Sequence, residues 1–343
     1  YSRRILSTLP PNLDVCYFVN SGSEANDLAI RMSRCYTGQE DVIVLDHAYH
    51  GNSTLSIDIS PYKFDSKGGT GQRPWVHKAE NPDSYRGRFA GITDAGKCYA
   101  TDVERIIMEL NVHGKKPAAF ISETLLGVGG QMPLPEGYLK AVYEFVRKAG
   151  GVCIADEVQV GFGRVGKSFW GFQLQEVQPD IVVLGKPIGN GHPLGAVVVS
   201  RAIAEAFNNG LEYFNTFGGN PVSMATGLAV IDVIEAEGMQ QHAHEVGDYL
   251  LEKLRALMQH HHIIGDVRGH GLFIGVELVT DRQSKAPAVP LIDEIVEEMK
   301  ERGFLLSTDG PLHNVLKIKP PMTFNKENAD ALVHQLDLVL NGI

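Results

Sequence analysis

Cysteine is scarce in this 343-residue chain, and the four that occur, Cys16, Cys35, Cys98 and Cys153, share no C-x-x-C spacing. That argues against a metal site and predicts reduced thiols. No basic run is longer than two residues and the net charge is −10, so nucleic acid is not an expected partner. No apolar run approaches the roughly 18 residues that a membrane span requires, so no membrane partner is expected. Internal repeats and low-complexity stretches are missing as well. The chain opens on Tyr1 with neither an initiator methionine nor a signal peptide, and an upstream segment is expected to be absent. The expected compartment is the cytoplasm, or the mitochondrial matrix if a transit peptide precedes Tyr1.

What is present is apolar content enough for a large core, 43% over 343 residues, which fits one large domain plus a smaller one. The most informative stretch runs from Gly151 to Gly191. Two apolar runs, Val152–Ala155 and Ile181–Leu184, have the length and flanks of buried parallel strands. Asp156, Glu157 and Gln159 come after the first, and Lys186 after the second. Ligands of α/β sheets bind at the carboxyl ends of strands, so these side chains mark a candidate active centre.

Two chemistries compete there. Gly161, Gly166, Lys167 and Ser168 match G-x-x-x-x-G-K-[ST], and Gly161, Gly163 and Gly166 match G-x-G-x-x-G, the loops of nucleotide binding. A P-loop NTPase is thus a remote alternative. Its context is poor, because polar residues separate the strand from Gly161 and a glycine and a proline interrupt the segment after Ser168. The other chemistry is that of pyridoxal phosphate (PLP). A lysine at a strand end can form a Schiff base, and a carboxylate on the neighbouring strand can keep a pyridine nitrogen protonated. Lys186 and Asp156 are the right residue types, although a structural ion pair would account for the same two residues.

The segments ADEVQVGFGRVG and PDIVVLGKPIGNGHPLGAV resemble the core of class III (ω) PLP-dependent aminotransferases, and the resemblance extends from Asn20 to Phe324. It implies a fold-type I α/β enzyme: a mostly parallel sheet wrapped by helices, with a smaller α+β C-terminal domain. The expected boundaries are 1–235 for the large PLP-binding domain and 236–343 for the small one. It also implies that Lys186 is the catalytic Schiff-base lysine, that Asp156 pairs with the pyridine nitrogen, and that Gln159 is a cofactor contact.

Other candidates occur along the chain. Val15–Val19 reads as a strand, with Ser21-Gly22-Ser23-Glu24 then opening a helix to about Tyr36. Such a helix start offers free N–H groups to a phosphate, though an ordinary N-cap uses the same residues. The resemblance makes Gly22 and Ser23 contacts of the PLP phosphate. Val42–Leu45 is the next strand, and the resemblance, through the family's aromatic-His-Gly motif, implies that Tyr49 stacks on the cofactor; taken alone, a tyrosine there reads as a core residue. His47 and His50 are read as polar residues lining the site. Residues 60–100 read as loops; their Lys63, Arg86 and Arg88 are taken as solvated charge, with an anionic substrate as the alternative.

Thr101–Leu110 and Gly137–Ala149 read as helices around a strand, Ala118–Ile121, that leads to Glu123. The resemblance sets Glu123 beside the cofactor's hydroxyl. Strand and helix alternate from 15 to 200, as in a mostly parallel sheet. Thr216, in a loop similar to T-[FY]-G-G-N-P, is implied to reach the cofactor phosphate of the other subunit of a homodimer. A glycine-rich loop before a helix is the plain alternative.

The chain departs from the family pattern at two positions. Val128 stands where many ω-aminotransferases have a second acid, and Lys317 where they have an arginine. Lysine is a compact charge suited to phosphate and lacks the fork that suits carboxylates. Together with HAYHGN, ISPYKF and NVLKIKPPM, this is similar to the phospho-lyase subgroup acting on O-phosphoethanolamine or phosphohydroxylysine. The expected reaction is elimination of phosphate from a small phosphorylated amine, with Lys317 as a substrate contact. The alternative is an ω-amino transaminase.

Overall fold

A computed structural model describes residues 1–343. It contains two compact units. The first comprises Tyr1–Thr124, Leu134–Phe162 and Trp170–Ile234, and the second comprises Leu125–Pro133, Gly163–Phe169 and Glu235–Ile343.

The first unit is built on a seven-stranded sheet of β1 (Val15–Val19), β2 (Asp41–Leu45), β3 (Val76–Ala79), β4 (Pro117–Glu123), β7 (Val152–Asp156), β8 (Ile181–Leu184) and β9 (Gly195–Val199). Their order is β1-β9-β8-β7-β4-β2-β3. The pairs β3–β2, β2–β4, β4–β7 and β7–β8 are parallel; β9 runs antiparallel to both β8 and β1. β2, β4, β7, β8 and β9 are buried along their whole length, which explains their continuous apolar runs. Helices α1 (Ser2–Leu6), α2 (Gly22–Thr37), α3 (Thr54–Asp58), α4 (Pro61–Phe64), α5 (Ala95–Val112), α6 (Tyr138–Lys148), α7 (Arg201–Phe207) and α8 (Pro221–Ala236) complete it.

Register positions the chemistry. In the parallel ladder Glu123 lies opposite Asp156, and Asp156 opposite Val183, so the acids ending β4 and β7 emerge side by side. Lys186 leaves the adjacent strand three residues beyond Val183. Helix α2 starts cleanly because Ser21 caps it, its Oγ accepting from Glu24 N at 3.1 Å. It stops at Gly38, whose φ of 66° suits glycine.

Residues 60–100 differ from the expectation of loops. Pro61–Phe64 is a short helix, Val76–Ala79 an edge strand, and α5 begins at Ala95, six residues before the expected start. The strand has only four residues, and Asp94 makes no capping bond, so neither start carried a sequence signal. The stretch that matched a P-loop has no P-loop geometry. The chain between β7 and Gly161 is a turn, and only a short 3-10 segment, Gly171–Gln175, comes after Ser168.

The second unit has a sheet of β10 (Ile264–His270), β11 (Phe273–Asp281), β14 (Val315–Ile318) and β13 (Ser307–Asp309), antiparallel throughout, with β12 (Ala286–Pro287) on β11. Leu125–Leu126 and Met132–Pro133 form a small hairpin, β5 and β6. Leu250, Leu254, Ile292, Ile295, Leu332 and Leu336 lie in one buried cluster with the sheet residues Ile274, Val276 and Leu316. They come from α9 (Met239–His260), α10 (Val289–Glu301) and α11 (Lys326–Asn341).

Candidate active site

At the carboxyl ends of β4, β7 and β8 the first unit opens into a cavity of about 440 Å³. Gly22, Ser23, Tyr49, Glu123, Asp156, Gln159 and Lys186 all line it, so seven of the nine sequence candidates converge. Thr216 and Lys317 are not among the lining residues.

The floor is organised by Asp156. Its Oδ2 accepts from Asn26 Nδ2 at 2.9 Å and lies 2.8 Å from His50 Nδ1. Its Oδ1 accepts from Val158 N at 3.1 Å. With 3% of its surface exposed, the carboxylate is held by hydrogen bonds in one orientation. Neither His50 Nε2 nor Asn26 Oδ1 has a partner, although both atoms are buried. His50 and Asn26 line the cavity, so it retains polar capacity for a ligand.

Close packing brings the other parts together. A Cβ on Gly22 would stand 2.9 Å from Val158 Cγ1, and one on Gly185 3.3 Å from Gly22 N. Glycine at both positions lets the exit of β8 approach the start of α2. Lys186 comes next at φ 28°, a strained value for a side-chain-bearing residue of the kind that collects at functional sites. The first i→i−4 bond at the start of α2 runs from Ala25 N to Ser21 O, so Gly22 and Ser23 carry N–H groups ahead of the ladder. Ser23 Oγ accepts from Asn52 N at 3.0 Å, which leaves its hydroxyl proton available for donation elsewhere.

On the wall, Tyr49 N donates to Glu123 Oε1 at 3.2 Å. The Tyr49 ring meets Tyr62 edge-on at 5.9 Å, and burial pushes its phenol pKa upward. Beneath, Glu157 turns away from the cavity. It accepts from Thr124 Oγ1 at 2.9 Å and from Gly171 N and Phe172 N at 2.8 Å each. Burial raises its pKa to about 7, against the downward pull of those three hydrogen bonds.

The histidines divide. His50 lines the cavity as expected, whereas His47 does not; its ring pairs with Asp46 at 3.3 Å. With a φ of 56°, His47 occupies a turn position that takes its ring out of the lining. Asn26, Asn20 and His192 line the cavity and were not identified from the sequence. Asn26 was recoverable, since it is four residues beyond Gly22 on the same helix face. His192 carried no such signal; its Nε2 lies 2.8 Å from Ser223 Oγ. Thr216 is exposed, in a loop anchored by Asn215, whose Oδ1 accepts from Asn20 Nδ2 and Gly218 N. Lys317 belongs to β14 of the second unit, where it pairs with Asp309 at 3.0 Å.

A helix start with unused N–H groups, a buried carboxylate facing the cavity, an aromatic wall and a lysine at a strand exit together fit pyridoxal phosphate. The volume lies in the range of small-ligand pockets. Comparison with known proteins agrees. Residues 2–340 match the family model described as aminotransferase class-III. The chain is 53% identical over 335 residues to a Drosophila melanogaster protein named alanine–glyoxylate aminotransferase 2-like, covering 96% of this chain and 68% of that one. It is 45% identical over 352 residues to the Caenorhabditis elegans ethanolamine-phosphate phospho-lyase homolog 1, covering 99% and 75%. Among solved structures, an Arthrobacter phospholyase in complex with phosphoethanolamine superposes with a TM-score of 0.94 at 38% identity, over 100% of this chain and 81% of that one. This chain belongs to the class III aminotransferases. It is a fold-type I, PLP-dependent enzyme of that family.

Proposed function

We propose that this enzyme eliminates phosphate from a small phosphorylated amine such as O-phosphoethanolamine, giving an aldehyde, ammonia and phosphate. The observation that carries the reading is the likeness, over the whole chain, to a phospholyase solved with phosphoethanolamine. The lack of an acid at Val128 and of an arginine at Lys317 supports it, because carboxylate exchange in transamination favours a forked guanidinium.

PLP, when bound, supplies an electron sink for the carbon that bears the substrate's amine. Gly22 and Ser23 hold its phosphate through the start of α2. Tyr49, Glu123 and Gln159 line the cavity that would hold its ring, and Asp156, fixed by His50 and Asn26, would keep the pyridine nitrogen protonated. Lys186 would hold the cofactor, and its amine, when free, would take the proton from the amine-bearing carbon of the substrate. The C–H pair becomes the new C=C bond as the neighbouring C–O bond breaks and phosphate leaves with its electrons. Water then hydrolyses the released enamine to aldehyde and ammonia.

Thr216 reaches the cofactor phosphate of a second copy in a homodimer. Exposed apolar groups near it, Phe214, Phe217 and Val222, are in keeping with a covered face. The second reading, an ω-amino transaminase, is favoured by the name of the 53% identical Drosophila relative. The experiment is a phosphate-release assay on O-phosphoethanolamine and phosphohydroxylysine, with and without pyruvate or glyoxylate. Release without an acceptor supports the lyase. Turnover only with an acceptor, yielding an amino acid and no phosphate, supports the transaminase.

A further inference from the structure

The cavity of the first unit is lined by two carboxylates, Glu123 and Asp156, against one ammonium, Lys186. That balance suits a cationic amine and opposes the phosphate dianion that the proposed substrate also carries. A further cation is needed, and one stands against the cavity wall. Lys63, on α4, has its Nζ 5.6 Å from the centre of the Tyr49 ring and 5.4 Å from that of Tyr62. Tyr49 is part of the wall, so this ammonium lies just behind or beside the lining.

Three other basic side chains between residues 60 and 100 are committed to acids. Lys78 pairs with Asp65 at 2.5 Å, Arg73 with Asp58 at 2.8 Å and Arg88 with Glu80 at 2.6 Å. Lys63 touches two ring systems and has no carboxylate partner. Lys317, the other candidate, is compensated by Asp309, which also accepts from Gln131 Nε2 at 2.6 Å. A lysine neutralised in this way offers a dianion little net attraction. A lysine resting on aromatic faces keeps its whole charge, and a long stem lets it move to a ligand.

We propose that Lys63 binds the phosphate group of the substrate from the Tyr49 side of the cavity and thereby sets the preference for phosphorylated amines; this rests on the phospho-lyase reading. The flexible point charge suits a tetrahedral dianion, which accepts hydrogen bonds from many directions.

The test uses PLP-loaded wild type, Lys63→Gln, Lys63→Arg and Lys317→Gln, with phosphate release from O-phosphoethanolamine and competitive inhibition by added inorganic phosphate (turnover then read as acetaldehyde). Removing one hydrogen-bonded charge from a dianion should raise both KM and the phosphate inhibition constant roughly tenfold or more in Lys63→Gln, with kcat within about threefold. Lys63→Arg should recover most of the loss. The cofactor absorbance and melting temperature should stay at wild-type values, because the half-buried Lys63 makes no structural ion pair. Unchanged KM and inhibition constants in Lys63→Gln, or a larger effect from Lys317→Gln, would overturn the assignment while leaving the lyase reading intact. A wild-type enzyme that releases no phosphate from either phosphorylated amine would overturn the lyase reading, and Lys63 with it.

Discussion

Asp156 is the residue whose surroundings say most about what it does. Three hydrogen-bond donors converge on its two oxygens, so an amide of the same shape removes the charge together with one acceptor. Asp156→Asn should fold normally and lower turnover by roughly 10²–10⁴, the range for loss of one positioned proton-linked group. Steady-state kinetics with a melting curve will check this, and turnover within a few-fold of wild type would contradict it. Glu157, its chain neighbour, behaves differently because it is structural. Its folded pKa, about 7, lies above the ordinary 4.5. Between those values the folded protein holds a proton that the unfolded chain has released, so this group's contribution to stability is present at low pH and is lost as pH rises through 7. The shift corresponds to about 3 kcal/mol. The difference in urea-unfolding free energy between wild type and Glu157→Gln should therefore fall by about that amount from pH 5 to pH 8. A flat difference would show that the three donors cancel the effect of burial, and a rising one that they outweigh it.

At the scale of elements, the strands were legible because each is a short apolar run bounded by polar or turn residues, although only the inner ones are buried on both faces. Val15–Val19 and Ile181–Leu184 begin and end where their apolar runs do, and β7 exceeds its run only by Asp156. The reversed direction of β9 was not legible, since a buried strand reads the same in a parallel or an antiparallel ladder. Helix α5 was shortened because its first turn, Ala95-Gly96-Lys97-Cys98, lacks both an acid and a capping bond. The site obeyed the same logic. Residues in continuous motifs, such as Gly22, Asp156 and Lys186, could be read, whereas His192 depends on a loop and a helix 31 positions apart in the chain. The contrast between caps yields a prediction. Ser21 supplies the N-cap bond of α2, so Ser21→Ala should cost about 1 kcal/mol, measured by denaturant unfolding. No measurable loss would mean that packing against the sheet alone fixes this helix.

At the scale of the molecule, no helix is long and apolar enough to cross a membrane, and no group of acids, histidines and cysteines could hold a metal ion. What the first unit does expose is apolar surface around Thr216: Leu211 at 72%, Phe214 at 75% and Phe217 at 68%. Monomers seldom leave such a patch in water. Sedimentation of the PLP-loaded enzyme should give a dimer, and Phe217→Asp should shift it toward monomer with loss of cofactor affinity. A wild-type monomer with full activity would contradict the shared site.

The arrangement of strand ends, helix start and buried acid converges on one amine. Borohydride reduction of the PLP-loaded enzyme, with peptide mapping of the product, tests it most directly. The account predicts a phosphopyridoxyl label on Lys186 alone, absent from Lys186→Ala. A label on any other lysine, or none on the wild type, would contradict it.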